Sequence, residues 1–273
     1  MDKANVADYL QSTRDVEGWF FPIDAYLFAL IDTIQKDEGI SGNLFEIGVH
    51  HGKTAIFLGR AAAAGETVGV CDVFGQQELN VDRSGEGSLD LFTSNMRKHG
   101  GVPGNRLQIF SRRSDRLTTA DTTTACRFFH IDGGHLRADV LSDLDTAVAA
   151  LGPDGVVALD DPFNPNWPGV SEGLYEFMRV RPGALVPILI GGNKVFLTRA
   201  AAAETYEKYW RRPEAWGEWI VSAAYRFEAR EWIGRQVQTA IRRAWVDLDP
   251  LAAARDHLTS SSWKSRFLRR LLS

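Results

Sequence analysis

The chain predicts an α/β fold with a mostly parallel sheet covered by helices on both faces. Three observations carry that expectation. Strand-like apolar runs alternate with helix-period segments through the middle of the chain. One of those junctions is a strand, a glycine turn and a helix in immediate succession, at residues 43–64. The last two strand-like runs are separated only by Gly191-Gly192-Asn193, which signals a hairpin and so an antiparallel final strand.

The elements follow in order. Residues 4–38 read as helical, with Tyr26, Leu27, Leu30, Ile31 and Ile34 at helix spacing and Pro22 suited to a helix start. Strands are expected at Leu44–Ile47, Thr67–Cys71, Leu107–Phe110, Arg127–Ile131, Val156–Leu159, Leu185–Ile190 and Lys194–Thr198. Helices are expected at about 53–64, 88–99, 136–151 and 170–180. Such alternation predicts parallel pairing through crossover helices. Residues 200–273 differ in character, holding six of the eight tryptophans: Trp210, Trp216, Trp219, Trp232, Trp245 and Trp263. Their charged and aromatic alternation is read as a helical extension that packs on the core or on a second copy of the chain. A lid or substrate platform is the other reading of this extension. The basic, amphipathic stretch Lys264–Arg270 is a candidate for contact with a membrane surface. The expected division is therefore 1–40, 41–199 and 200–273.

Asn43-Leu-Phe-Glu-Ile-Gly-Val-His-His-Gly-Lys-Thr-Ala55 is the most informative stretch. Strand, glycine turn and helix present backbone N–H groups to a ligand at the carboxyl edge of an open sheet. The spacing is neither the dinucleotide fingerprint nor a P-loop. Glu46, at the strand end, repels phosphate and suits a ligand with hydroxyls, an amino group or positive charge. Asp72 ends the second strand, 20 residues after Gly52. It is placed to accept hydrogen bonds from ribose hydroxyls, or else to cap a helix or turn.

Asp132 ends the fourth strand, and Asp160 and Asp161 end the fifth. Neighbouring strands lie about 4.8 Å apart, so three carboxylates converge on one edge. A hard divalent cation, Mg²⁺ or Mn²⁺, relieves their repulsion; bonds to backbone or to an arginine are the alternative. His135, three residues beyond Asp132, is a candidate general base or a structural helix-start histidine. Asp161 and the histidines of the glycine turn, His50 and His51, are the other candidates for that role. Loops 75–87 and 162–169 are polar, with Trp167 in the second, and read as substrate walls.

Composition narrows the function. The net charge of −4 argues against a nucleic-acid partner. The charge is uneven: residues 200–273 hold 13 Lys+Arg and 9 Asp+Glu, hence +4, which leaves −8 for residues 1–199. Cys71 and Cys126 sit in apolar runs, as buried free thiols of a reducing compartment do. With no signal peptide at Met1-Asp-Lys-Ala and no transmembrane-length apolar run, a cytoplasmic location is expected.

The glycine-turn segment resembles motif I of class I S-adenosylmethionine (SAM) dependent methyltransferases. Cys71-Asp72-Val-Phe74, Gln77–Gly85, Ile131-Asp-Gly-Gly-His135 and Leu159-Asp-Asp-Pro162 to Val170 are similar to the methyltransferase-24 type, related to the metal-dependent macrocin-type enzymes that act on sugars. The resemblance spans about residues 17–198. It implies a Rossmann-like, seven-stranded sheet whose last strand is antiparallel. It also implies that Asp72 binds the SAM ribose, that Glu46 and Gly48 line the methionine end, that Gly52 belongs to the cofactor-binding turn, and that Lys53 and Thr54 meet the methionine carboxylate. Ser114 and Asp115 fall on the adenine side, Asp132 borders the cofactor, and Asp132, Asp160 and Asp161 hold the metal. The expected function is O-methylation of a sugar hydroxyl, with His135 or Asp161 handling the proton. Methylation of a catechol or small phenol, and a non-catalytic SAM-fold binding protein, are the competing readings.

Overall fold

The computed structural model describes residues 3–102, 104–122, 125–211 and 225–242. Two helices come first, α1 (Lys3–Ser12) and α2 (Pro22–Asp37). The 13–21 stretch between them is not helical, so the expected continuous helix is broken. Pro22 takes the first helical position, and the Asp24 carboxylate accepts the N–H of Phe21 at 3.0 Å.

The expected alternation follows: β1 (Asn43–Ile47), α3 (Lys53–Ala61), β2 (Val68–Asp72), α4 (Leu89–His99), β3 (Leu107–Ser111), β4 (Cys126–Ile131), α5 (Arg137–Ala150), β5 (Leu151–Asp160), α6 (Pro168–Val180), β6 (Val186–Gly191) and β7 (Lys194–Thr198). A last helix, α7 (Ala203–Trp210), precedes two further strands, β8 (Tyr225–Trp232) and β9 (Arg235–Arg242). The strand order is β3-β2-β1-β4-β5-β7-β6-β9-β8. The first five strands pair in parallel, and β7 inserts antiparallel between β5 and β6, as the short hairpin signal predicts.

The period of two along each central strand builds two cores. Phe128, Val156 and Ala158 face α1, α2 and α3, where Tyr9, Phe20, Phe28 and Phe57 pack edge to face. Phe129, Val157 and Leu159 face α5 and α6, against Val140, Leu144 and Phe177. All six residues of β4 are buried, as a strand covered on both faces requires.

The helical reading of residues 200–273 holds for α7 and fails for 225–242, where a hairpin extends the sheet to nine strands. Phe227 and Ala229 alternate with Glu228 and Arg230, and Val237 sits between Gln236 and Gln238, a strand period that the charged and aromatic content disguises as helical amphipathicity. Ile233 and Gly234, both at positive φ, supply the two-residue turn. Trp216, Trp219, Trp245, Trp263 and the basic stretch 264–270 lie outside the described residues. Among the described residues no helix is long and apolar enough to cross a membrane.

A buried charge cluster pins α2 under the sheet. Arg127 of β4 is fully buried and pairs with Asp32 at 2.9 Å and Glu66 at 2.8 Å, while Gln35 accepts a further N–H at 2.8 Å. Removing one partner strands the opposing charges. Arg127→Ala should therefore destabilise the fold by about 3–5 kcal/mol, read as a fall in the urea midpoint.

Candidate functional site

A cleft of about 660 Å³ opens at the carboxyl ends of β1, β2, β4 and β5. That is the edge where open α/β sheets bind ligands. Its floor is the motif I turn. Gly48 takes φ 78°, and a Cβ there would lie 1.8 Å from the Asp132 carbonyl oxygen, so only glycine fits. Gly52 takes φ 90° and caps α3, where a Cβ would meet the Phe92 ring. Gly52 does not line the cleft: it lets the turn enter the helix.

Asp72 secures this turn from β2. One carboxylate oxygen accepts the N–H groups of Val49 at 2.7 Å and His50 at 2.8 Å; the other accepts that of Phe74 at 2.5 Å. Its first task is thus to hold backbone, and it lines the cleft while doing so. Glu46, Gly48, Lys53, Thr54, Ser114 and Asp132 line the cleft as expected. Asp115 does not, because Arg113 takes its carboxylate at 3.2 Å.

Glu46 is buried, and one of its carboxylate oxygens lies 2.9 Å from Nδ1 of the buried His130. Burial, reinforced by the charge of Asp132, pushes the Glu46 carboxyl well above the usual range. Burial and the charge of Asp160 do the same to Asp132. The edge is crowded with like charge, which a cation relieves.

The structure brings His135 into a relay that its spacing from Asp132 does not reveal. Nδ1 of His135 lies 2.8 Å from Asp82, whose carboxylate also accepts the His135 backbone N–H at 2.6 Å. Nε2 faces Asp161 at 3.4 Å. Trp167 stacks on the imidazole, with centroids 4.2 Å apart and planes at 17°. Burial works to lower the His135 pKa, but the hydrogen bonds to Asp161 and Asp82 and the charge of Asp132 outweigh it and raise it to about 9. These carboxylates therefore favour the imidazolium over the neutral base expected near pH 6.5. Burial would raise Asp161 too, yet its bonds to His135 and Asn164 hold it below the usual range. Its backbone takes φ 62°, stabilised by Asn193, which accepts the Asp161 N–H at 2.9 Å and donates its side-chain amide to the carboxylate.

Asp160 has a buried partner that its place at the strand end does not reveal. Lys194, the first residue of β7, lies directly across from it in the β5–β7 register. The lysine is 1% exposed, and its ammonium donates to Asp160. Burial would lower the Lys194 pKa, but Asp160, Asp24 and Asp132 raise it instead, so the site contains a permanent cation. The sequence reading missed Lys194, because a lysine opening an apolar strand looks like an exposed strand end. It also missed Trp19 and Phe21, exposed aromatics of the 13–21 segment that line the cleft. Loops 75–87 and 162–169 do line it, the first through Gln77, Asn80 and Asp82, the second through Asn164, Asn166 and Trp167.

The carboxylates fit a hard divalent ion in part. Asp132, His135 and Asp161 offer ligand atoms within 4.8 Å of one another, as do His130, Asp132 and Asp160. Oxygen donors and an imidazole suit Mg²⁺ or Mn²⁺.

Residues 45–162 match the family profile described as Methyltransferase domain, of the methyltransferase-24 type. The match runs from β1 to the residues just after β5 and makes this core similar to a methyltransferase domain. Solved structures agree on its fold. The O-methyltransferase NovP superposes with a TM-score of 0.55 at 18% identity, over 64% of this chain and 80% of that one. The O-methyltransferase TomG from Streptomyces achromogenes, involved in tomaymycin synthesis and solved with SAM, gives 0.50 at 18% identity, over 72% and 89%. An O-methyltransferase from Bacillus cereus, in complex with SAH, gives 0.50 at 15% identity, over 72% and 90%. No curated protein matches the chain in sequence.

In EDTA the His135 ring should lose its proton at about 9, read from an NMR titration of its ring carbons. Asp82→Asn removes one of the charges that favour the imidazolium and should move that titration to lower pH by about one unit or more.

Proposed function

We propose that the chain is a SAM- and divalent-metal-dependent O-methyltransferase whose acceptor is a sugar hydroxyl. The observation that carries this reading is the meeting of Asp132, Asp161 and His135 at one end of a polar cleft. The cleft volume is large enough for a nucleoside-bearing donor and part of an acceptor. NovP, TomG and the Bacillus cereus protein are all described as O-methyltransferases, which supports oxygen as the methylated atom.

The motif I turn and Asp72 bind the SAM ribose and methionine end, with Lys53 and Thr54 at the start of α3 meeting its carboxylate. Asp132 and Asp161 would hold the metal, which would supply Lewis-acid activation and orientation of the acceptor hydroxyl. His135 takes the hydroxyl proton at Nε2 while the oxygen gains the methyl group and the methyl–sulfur bond breaks. Asp82 fixes the imidazole from Nδ1, and Trp167 fixes its plane. Gln77, Asn80, Asn164 and Asn166 supply the directed hydrogen bonds that tell similar hydroxyls apart, and Trp19 offers an apolar face for a sugar ring. A phenol needs few of these polar groups.

Two measurements test the reading. Calorimetric titration of SAM should show Asp72→Ala binding about tenfold or more weaker, since hydrogen bonds to a charged group contribute about 1.5–3 kcal/mol each. Equal affinity would refute the cofactor assignment. The second offers labelled SAM and Mg²⁺ with panels of mannosides, rhamnosides, glucosides and catechols. Glycosides should be methylated, and EDTA should abolish turnover until Mg²⁺ or Mn²⁺ is restored. Turnover of catechols alone makes the acceptor a phenol, and full activity in excess EDTA removes the metal.

A further inference from the structure

Two groups of metal-ligating side chains share Asp132. The inner one adds His130 and Asp160, the outer one His135 and Asp161. A divalent ion could in principle enter either, and the strand ends alone do not choose between them.

Lys194 chooses. Its position across from Asp160 is set by backbone pairing, since β7 runs antiparallel to β5 with Asp160 and Lys194 as partners. The ammonium donates to Asp160 Oδ2. The other oxygen, Oδ1, accepts the Asp161 N–H at 2.9 Å. The ammonium also lies over the Phe20 ring, 5.9 Å from its centroid, so the N-terminal segment closes on it. A buried lysine held this way cannot withdraw to water. A dication beside Asp160 would sit against a fixed positive charge in a medium that screens weakly. In the outer group no lysine or arginine donates to Asp161 among the described residues, and the charged donor there is the ring of His135. The donors on the Asp161 carboxylate are the amides of Asn164 and Asn193 and the ring of His135.

We propose that Lys194 is the resident cation of the inner group and keeps Asp160 out of the divalent-metal ligand set, so that the ion binds in the outer group through Asp132 and Asp161. The inference rests on the metal dependence proposed above. It alters the ligand set expected from the strand ends, which included Asp160. Asp160 becomes a positioning residue: it ties Lys194 to the Asp161 backbone and so fixes the positive φ that aims Asp161 at His135.

The test is Mn²⁺ binding to the purified full chain, followed by the electron paramagnetic resonance signal of the free ion and therefore independent of turnover. Asp160→Asn alone leaves a buried lysine without its partner and endangers folding, so the paired variant Asp160→Asn/Lys194→Met, which removes both charges, is the informative one. It should keep Mn²⁺ affinity within about threefold of wild type, while Asp161→Asn loses about tenfold or more. Lys194→Met alone frees the Asp160 carboxylate and should tighten Mn²⁺ binding. If the paired variant loses as much affinity as Asp161→Asn, Asp160 is a ligand and the inference is wrong while the metal reading stands. Weaker binding by a folded Lys194→Met protein overturns it as well. If wild type binds no Mn²⁺, both the inference and the metal reading fall.

Discussion

Asp24, Glu46, Asp132, Asp160 and Asp161 converge where the sheet ends, around the buried ammonium of Lys194. Burying a lone carboxylate is costly, and burying several together is more so. The β5–β7 register therefore does more than complete a sheet, because it delivers the cation that this edge needs. The N-terminal segment depends on the same charge. Phe20 covers the ammonium, and Asp24 is buried close to it, with its other oxygen against the backbone of Gly192. Fold and site are stabilised here by one set of contacts.

The motif I turn shows a second economy. Asp72 occupies the position where a ribose-binding acid is expected, yet three backbone N–H groups already bond to it. These bonds shape the turn that borders the cleft before any ligand arrives. Preorganisation of that kind lowers the ordering cost of binding. The glycines do related work by different means, Gly48 allowing β1 to pass against Asp132 and Gly52 allowing the turn to become α3.

His135 is governed by partners distant in sequence. Asp82, 53 residues earlier, meets it from the loop after β2, and Trp167 covers its face from the loop after β5. Both loops looked like substrate walls in the sequence, and they do border the cleft. What the sequence did not disclose is that Asp82 points at the histidine and sets its charge. Two flanking carboxylates bias an ordinary imidazole towards its protonated form.

The sequence alone determined what local pattern can determine. The apolar runs place seven strands, the Gly191-Gly192-Asn193 turn makes the last antiparallel, and the residues that end β1, β2, β4 and β5 are Glu46–Ile47, Asp72, Asp132 and Asp160–Asp161 by simple counting. Counting works because the end of a parallel strand faces the ligand edge whatever the rest of the chain does. The tertiary structure alone decided the partners. Lys194 reaches Asp160 across 34 residues, Asp82 reaches His135 across 53, and Trp19 enters the cleft from a segment read as helix. It also decided that residues 225–242 add two strands, because pairing with β6 rewards their alternation with hydrogen bonds that a helix would have made internally. Charge partners and edge pairings are long-range choices, set by register and packing, and no window of sequence contains both sides of them.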